Sequence, residues 1–341
     1  YSGDVIRSLK IINILKKKFQ VDVVYLGNKP MKQDKNIFSF TPSNIIIKIF
    51  YCLISLINIK PIQFGLFFSK EIKKFIEENS HSYEIIFFQH IRSSQYLPKN
   101  YYGTTILDMG DLYSDNYTQT YKILNYFNPL KYIYFIESIF VKKIESKIFS
   151  TFDKILLFSE NEVSKVKKIY GKKIIKVSES IDKIYKKISF SKNKIRILFV
   201  GNLNYLPNIL ACRDFIKNIL PILNKKNSKI KFSIVGNISK KDKILLLKNK
   251  NVEVLGSKKN IQQYIKNSFC GIANLSIATG IQVKVLKYMS YGLPVICSSQ
   301  VASNFKNSVL TYNSIKELVN KLLYLKNNKL FWNKFSKKSY L

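Results

Sequence analysis

The stretch Gly271–Cys297, GIANLSIATGIQVKVLKYMSYGLPVIC, decides how the rest of the chain is read. Gly271 to Leu275 is a short apolar run of the kind that forms a strand buried on both faces. A loop opens at Gly280, and a helix is expected from about Ile281 to Tyr291. Gly292 follows, then a second buried strand from Leu293 to Cys297. Strand, glycine loop, helix, glycine, strand is one βαβ unit. Val285, Leu286 and Met289 form the helix's apolar stripe, while Lys284 and Lys287, three apart, share another face. Gly292 stands where a helix C-cap needs positive φ, and Pro294 suits the first residue of a strand. A helix N-terminus behind a glycine leaves backbone N–H groups free to face an anion such as phosphate.

Working back to the start, strands and helices alternate. Ser2-Gly3-Asp4 precedes a helix expected from Val5 to Phe19, with Asp4 as its N-cap and Ile6, Leu9, Ile12 and Leu15 at helical spacing. Val21–Gly27 reads as a strand, and residues 28 to 43 as a polar loop. Helices are expected over Ile45–Asn58 and Phe64–Glu78, then strands over Tyr83–His90 and Thr104–Asp111. A long helix spans Pro129–Phe149, its core stripe being Ile133, Ile136, Phe140, Ile144 and Ile148. A strand over Lys154–Ser159 and a helix closing at Gly171 complete this half, which ends on KIIKVSESID. Such alternation argues a parallel sheet, with ligands beyond the carboxyl ends of the strands. That rim would hold Gly3, His90, Arg92, Asp108, Asp111 and Ser159.

The lysine-rich segment Ile188–Lys194 has no periodicity and is taken as a linker between a domain of residues 1–187 and another of residues 195–341. The second domain restarts with a strand over Ile195–Val200, ending at Gly201-Asn202, and a Pro207-Asn208 turn into a helix. Strands over Lys231–Asn237 and from Val252, the Gly271–Cys297 unit, Ser308–Tyr312 and a helix over Ser314–Leu325 follow. The opening YSGDVIRS begins at a loop-to-helix junction, so a first strand is expected to be missing, and the ending WNKFSKKSYL reads as cut short.

The chain has 341 residues, 46% hydrophobic, enough for two α/β domains with their own cores. Its formal net charge of +36 comes from lysines spread through nearly every segment. The first reading is a compositional bias, with lysines solvating every surface. A dedicated nucleic-acid stripe would cluster them, so nucleic acid is not expected as a partner, and attraction to anionic lipid or a diphosphate is the functional alternative. Cys52, Cys212, Cys270 and Cys297 show no metal-ligand spacing, and only His81 and His90 could assist, so no zinc site is expected. Buried free thiols in a reducing compartment fit instead. No signal peptide is visible, and the apolar run Ile45–Ile59 contains Lys48 and is too short to span a bilayer, so it is expected as a buried helix, with an interfacial helix as the second reading.

GIQVKVLKYMSYGLPVI resembles the donor-binding signature of retaining glycosyltransferases of family 4, approximately G-x-x-x-K-V-L-E-A-M-A-x-G-x-P-V-V. Gly280, Lys284, Val285, Leu286, Met289, Gly292, Pro294 and Val295 match in order, and Lys287 stands where the pattern has glutamate. Gly201, Tyr205, Pro207, Asn208 and Ala211 resemble the stretch G-x-x-x-Y-x-P-N-x-x-A typical of bacterial cell-surface polysaccharide enzymes of that kind. The opening Ser2-Gly3-Asp4, HIRSSQY from His90, ILDMGD and FSENEV resemble the acceptor-side domain more loosely.

The resemblance implies the GT-B architecture: two Rossmann-like domains with parallel sheets, facing across a cleft. It implies donor contacts from Gly3, Gly201, Asn202, Val254, Leu255, Gly280, Ile281, Gln282, Lys284 and Lys287, with His90 and Lys284 at the reacting centre. The backbone around Val254–Gly256 would face the nucleotide base. The expected partners are a nucleotide-sugar donor and a glycan or lipid-linked glycan acceptor, with no metal or other cofactor, in the cytoplasm at the inner face of the membrane. Lys287 keeps a second reading open, a protein that binds nucleotide or glycan without transfer, because lysine only donates where glutamate would accept from the ribose hydroxyls.

Overall fold

The computed structural model describes residues 3–27, 35–178, 187–226 and 229–340. Ser2, the loop 28–34, the end of KIIKVSESID and the Asp4 side chain lie outside them. The chain divides into two units, Tyr1–Val177 and Ser178–Leu341.

The first unit holds helix α1 (Gly3–Leu15), strands β1 (Val23–Leu26) and β2 (Ile37–Phe40), helices α2 (Ile45–Ile57), α3 (Ile62–Leu66) and α4 (Lys70–Asn79), then β3 (Ile85–Gln89), β4 (Thr104–Gly110), α5 (Tyr113–Ile123), α6 (Leu130–Thr151), β5 (Lys154–Leu157), α7 (Glu160–Tyr170) and β6 (Ile174–Lys176). Strands β3-β4-β5-β6 form a parallel sheet in that order, and β1-β2 a separate parallel pair. Leu107, Ile155 and Leu157 on the sheet are fully buried under Val141 and Phe152.

Several expectations need correction here. Part of the polar loop is strand β2, because Ile37, Phe38 and Phe40 supply an apolar edge that pairs with Val23–Leu26. The helix expected over Phe64–Glu78 is two helices, since Ser69 caps α4 by accepting from the Ile72 N–H at 3.2 Å. The run Ile45–Ile59 is not buried: on α2 only Ser55 is buried, while Ile46, Phe50, Leu53 and Ile57 are exposed. The stripe assigned to α6 is also partly reversed. Ile148 is buried, but Ile133 and Ile136 face solvent, and Glu137 and Glu145 lie inside. Those carboxylates are buried because they satisfy open helix ends, whose first N–H groups lack intrahelical acceptors. Glu137 accepts from the N–H of Ile62 at the start of α3. Glu145 accepts from both the N–H and the hydroxyl of Ser114 at the start of α5.

The second unit runs β7 (Arg196–Val200), α8 (Leu206–Asp214), α9 (Leu220–Lys226), β8 (Lys231–Val235), α10 (Lys240–Leu247), β9 (Val252–Gly256), α11 (Gln262–Lys266), β10 (Ser268–Ala273), α12 (Val283–Ser290), β11 (Val295–Ser298), α13 (Ser299–Ala302), β12 (Leu310–Tyr312), α14 (Ile315–Asn327) and α15 (Lys329–Ser339). Its six parallel strands lie in the order β12-β11-β10-β7-β8-β9. The chain reverses direction across the sheet between β7 and β10, the topological switch point where such sheets take ligands. The segment Ile188–Lys194 packs on this unit: the Ile188 N–H donates to Tyr291 O at 3.1 Å, and Lys326 Nζ to the carbonyls of Lys192 and Lys194.

The βαβ unit forms with shifted ends, β10–α12–β11. Gly292 takes φ 68°, as its place after the helix requires. Val285 and Met289 are buried, and so is Tyr288, which fills the space over Gly271. A Cβ at Gly271 would lie 2.5 Å from the Tyr288 ring, so the strand must be glycine where the helix is tyrosine. The Tyr288 hydroxyl accepts from the Val200 N–H at 2.7 Å, tying α12 to β7.

Candidate functional site

In the second unit, the carboxyl ends of β7, β8 and β9 are locked together by backbone. The Gly201 N–H donates to Val235 O at 2.9 Å, and the Gly236 N–H to Gly256 O at 3.0 Å. Gly236 has φ 155°, and a Cβ there would sit 1.7 Å from Gly201 O, so only glycine closes this rim. Gly256 has φ 71° and open space beside it.

Gly201 is followed by Asn202, whose carbonyl accepts from Asn208 Nδ2 at 2.8 Å. Asn208, buried in the first turn of α8, accepts in turn from Lys284 Nζ at 2.5 Å. The Lys284 ammonium also lies 4.3 Å from the Phe199 ring centroid. The end of β7, the start of α8 and the first turn of α12 thus converge on one cation. Burial pushes the Lys284 pKa down to about 8, against the smaller upward pull of Cys212 and Cys297. Near neutral pH it is still mostly charged.

Gly280 takes φ 61°, and its carbonyl accepts from Asn304 Nδ2 at 2.7 Å. Gln282 is the N-cap residue of α12, yet its amide donates to Thr279 O at 3.1 Å, and no side chain caps the helix. Ile281 is half-buried against the core. The Lys287 ammonium, one turn on, lies 5.8 Å from the Tyr291 ring centroid. Val254 and Leu255, in β9 two strands from β7, pack partly against the core. The fold therefore brings Gly201, Asn202 and Lys284 into one network and leaves Val254, Leu255 and the Lys287 head outside it.

Residue spacing did not single out Asn208 or Gly236 as site residues, although both carry a signal. Asn208 is the polar residue after Pro207 at a helix start, and Gly236 directly follows a buried strand. Tyr288 gave none, because a tyrosine in an amphipathic helix reads as surface as readily as core.

The first unit has its own rim. His90 follows β3 with φ 66° and ψ 148°, a conformation that costs an L-residue of order 1–3 kcal/mol. Its N–H donates to Asp108 O at 2.9 Å, and its Nδ1 lies 3.2 Å from the Tyr113 hydroxyl. Asp108 is buried and receives the Arg7 guanidinium through two bonds, Nε–Oδ2 at 2.9 Å and Nη2–Oδ1 at 3.1 Å. Arg7 also lies over the Phe158 ring. Gly3 is the first residue of α1, the helix that carries Arg7. Arg92, by contrast, stacks on Phe67. Among the described residues no cluster of three His, Cys, Asp or Glu could hold a metal. Cys212, Cys270 and Cys297 are buried free thiols, and Cys52 is half-buried.

Two parallel-sheet α/β units with this rim have the fold of GT-B glycosyltransferases, to which solved structures are similar over most of the chain. Sucrose-phosphate synthase from Thermosynechococcus elongatus matches at a TM-score of 0.69 and 11% identity, covering 99% of this chain and 88% of that one. Anabaena HepE in complex with UDP-glucose matches at 0.61 and 9% identity, covering 94% and 93%. TarM matches at 0.60 and 16% identity, covering 79% of this chain and 53% of that one, so the chain spans about half the length of TarM. Residues 194–328 match the family described as glycosyl transferases group 1, and this segment is a domain of that family. No curated protein sequence matches the chain.

Proposed function

We propose that this chain is a retaining glycosyltransferase that moves a sugar from a nucleotide-sugar donor to a hydroxyl of a glycan acceptor in cell-surface polysaccharide synthesis. The observation that carries the reading is the convergence of Phe199 at the end of β7 and Asn208 at the start of α8 on the Lys284 ammonium in the first turn of α12. When the glycosidic bond to a nucleoside diphosphate breaks, negative charge grows on the departing phosphate. A partly desolvated cation beside an uncapped helix N-terminus offsets that charge without a metal. Asn208 holds the ammonium in place until the phosphate takes over the contact. His90, on the first unit, is assigned to the donor sugar and the reacting centre. The enzyme works in the cytoplasm at the inner membrane face, where a lipid-linked acceptor is within reach. HepE is described in complex with UDP-glucose, which favours a uridine diphosphate donor here as the first to test. Incubating the protein with a panel of sugar nucleotides, and scoring thermal stabilisation and release of nucleoside diphosphate, tests the reading. One donor is expected to stabilise and turn over; a panel without either response rejects it.

A second reading, binding without transfer, rests on Lys287 in place of a ribose-accepting carboxylate. Its ammonium over Tyr291 makes no carboxylate-like contact. Under this reading Lys287→Glu should tighten nucleoside diphosphate by about 1–3 kcal/mol through regained hydrogen bonds. In an active enzyme adapted to the cation, the same change lowers turnover. Identical affinities and rates would remove position 287 from the nucleotide site.

A further inference from the structure

Two helices of the first unit turn apolar residues outward, α2 along its length and α6 over its first half. On α2 the polar residues Lys48, Cys52 and Ser55 fall at i, i+4 and i+7 and are half-buried or buried. The outward positions are apolar, among them Ile46, Phe50, Leu53 and Ile57, the last 80% exposed. On α6 the two acids, Glu137 and Glu145, are turned inward to the starts of α3 and α5. Its outward side carries Ile133, Ile136 and Ile139, and the preceding loop presents Phe127 at 95% exposure. The helices are linked through α3, whose Ile62 carbonyl accepts from Cys52 Sγ of α2 and whose Ile62 N–H donates to Glu137 of α6. Large exposed apolar area of this kind marks an interaction surface.

We propose that the outward faces of α2 and α6 dock the protein onto an anionic lipid bilayer. Charge selects that occupant. Neither helix presents a carboxylate outward, and beyond Ile139 the exposed side of α6 continues as Lys142, Lys143 and Lys147. A second copy is disfavoured, because both chains carry +36 and repel. Apolar residues beside lysines suit the interface, where side chains enter the headgroup layer and ammonium groups meet lipid phosphates. At 13 residues, α2 is about 20 Å long against a hydrocarbon core of ~30 Å, so it lies on the membrane. No helix among the described residues is long and apolar enough to cross one.

Sedimentation with vesicles tests this directly. The probes are phosphatidylcholine vesicles with and without phosphatidylglycerol, and no sugar nucleotide is present, so failure leaves the transfer reading untouched. The wild type should bind the anionic vesicles and not the neutral ones. The triple variant Ile46→Glu, Phe50→Glu, Ile136→Glu should bind about tenfold or more weakly, whereas Ile244→Glu, an equally exposed site on α10, should bind as the wild type does. All three triple-variant positions face solvent, and circular dichroism checks the fold. In Phe50→Trp, the new indole should be quenched by brominated lipid, while Trp332, buried in the other unit, should not. Equal binding of the triple variant, an unquenched indole, binding to neutral vesicles alone, or no binding at all would overturn the proposal. Light scattering that finds a wild-type dimer and a monomeric triple variant would assign the face to a second copy and overturn it too.

Discussion

His90 and Lys284 are two residues where this chain departs from what a stable fold alone would choose. His90 holds φ 66° and ψ 148°, which glycine reaches without strain. If the imidazole is retained for its chemistry, His90→Gly should relieve the backbone while removing the ring. Chemical denaturation should find His90→Gly more stable than His90→Ala by about 1–2 kcal/mol, with transfer depressed in both. Greater stability in the alanine variant would mean that the side chain, and not the backbone, shapes this turn. Lys284 was legible because its place follows from Gly280 and a helical period. Its partner Asn208 was not, because 76 residues separate them and only the sheet order brings β7 beside β10. The same limit hid the pairing of Arg7 with Asp108, 101 residues apart.

Most strands were readable as elements because parallel strands buried on both faces are continuous apolar runs. The helices were less so. An apolar stripe at helical spacing tells which residues share a face, but not which way the face points. On α6 the direction is set by Glu137 and Glu145, whose roles depend on helix starts elsewhere in the chain. Glu145 has a measurable signature. Burial pushes its pKa up to about 7, outweighing the downward pull of the Ser114 hydrogen bonds, while Asp115 adds a smaller upward push. Between about pH 4.5 and 7 the folded unit therefore holds a proton that the unfolded chain has released. Stability should fall as pH rises through that window, by about 3 kcal/mol for this one group. Glu145→Gln keeps an acceptor for the Ser114 N–H and cannot titrate, so it should flatten the pH dependence of thermal unfolding. An unchanged profile would show that Glu145 titrates normally.

At the scale of the whole molecule, two α/β units with a shared parallel-sheet logic were foreseeable from alternating strand and helix runs. The second unit was the more legible because Gly280, Gly292 and Pro294 punctuate one βαβ unit in its sequence. The central claim is that this unit holds a nucleoside diphosphate at the start of α12 through Lys284. Calorimetry of uridine, guanosine and adenosine diphosphates with the wild type and with Lys284→Met, near pH 7, tests it most directly. Methionine keeps the side chain's bulk and removes its charge, so the fold should persist. For the diphosphate that binds, the variant should lose about 1.5–3 kcal/mol, roughly tenfold or more in affinity, and the wild-type affinity should fall as pH rises above about 8, where the ammonium deprotonates. Equal affinity in wild type and variant, with no dependence on pH in that range, would contradict the account.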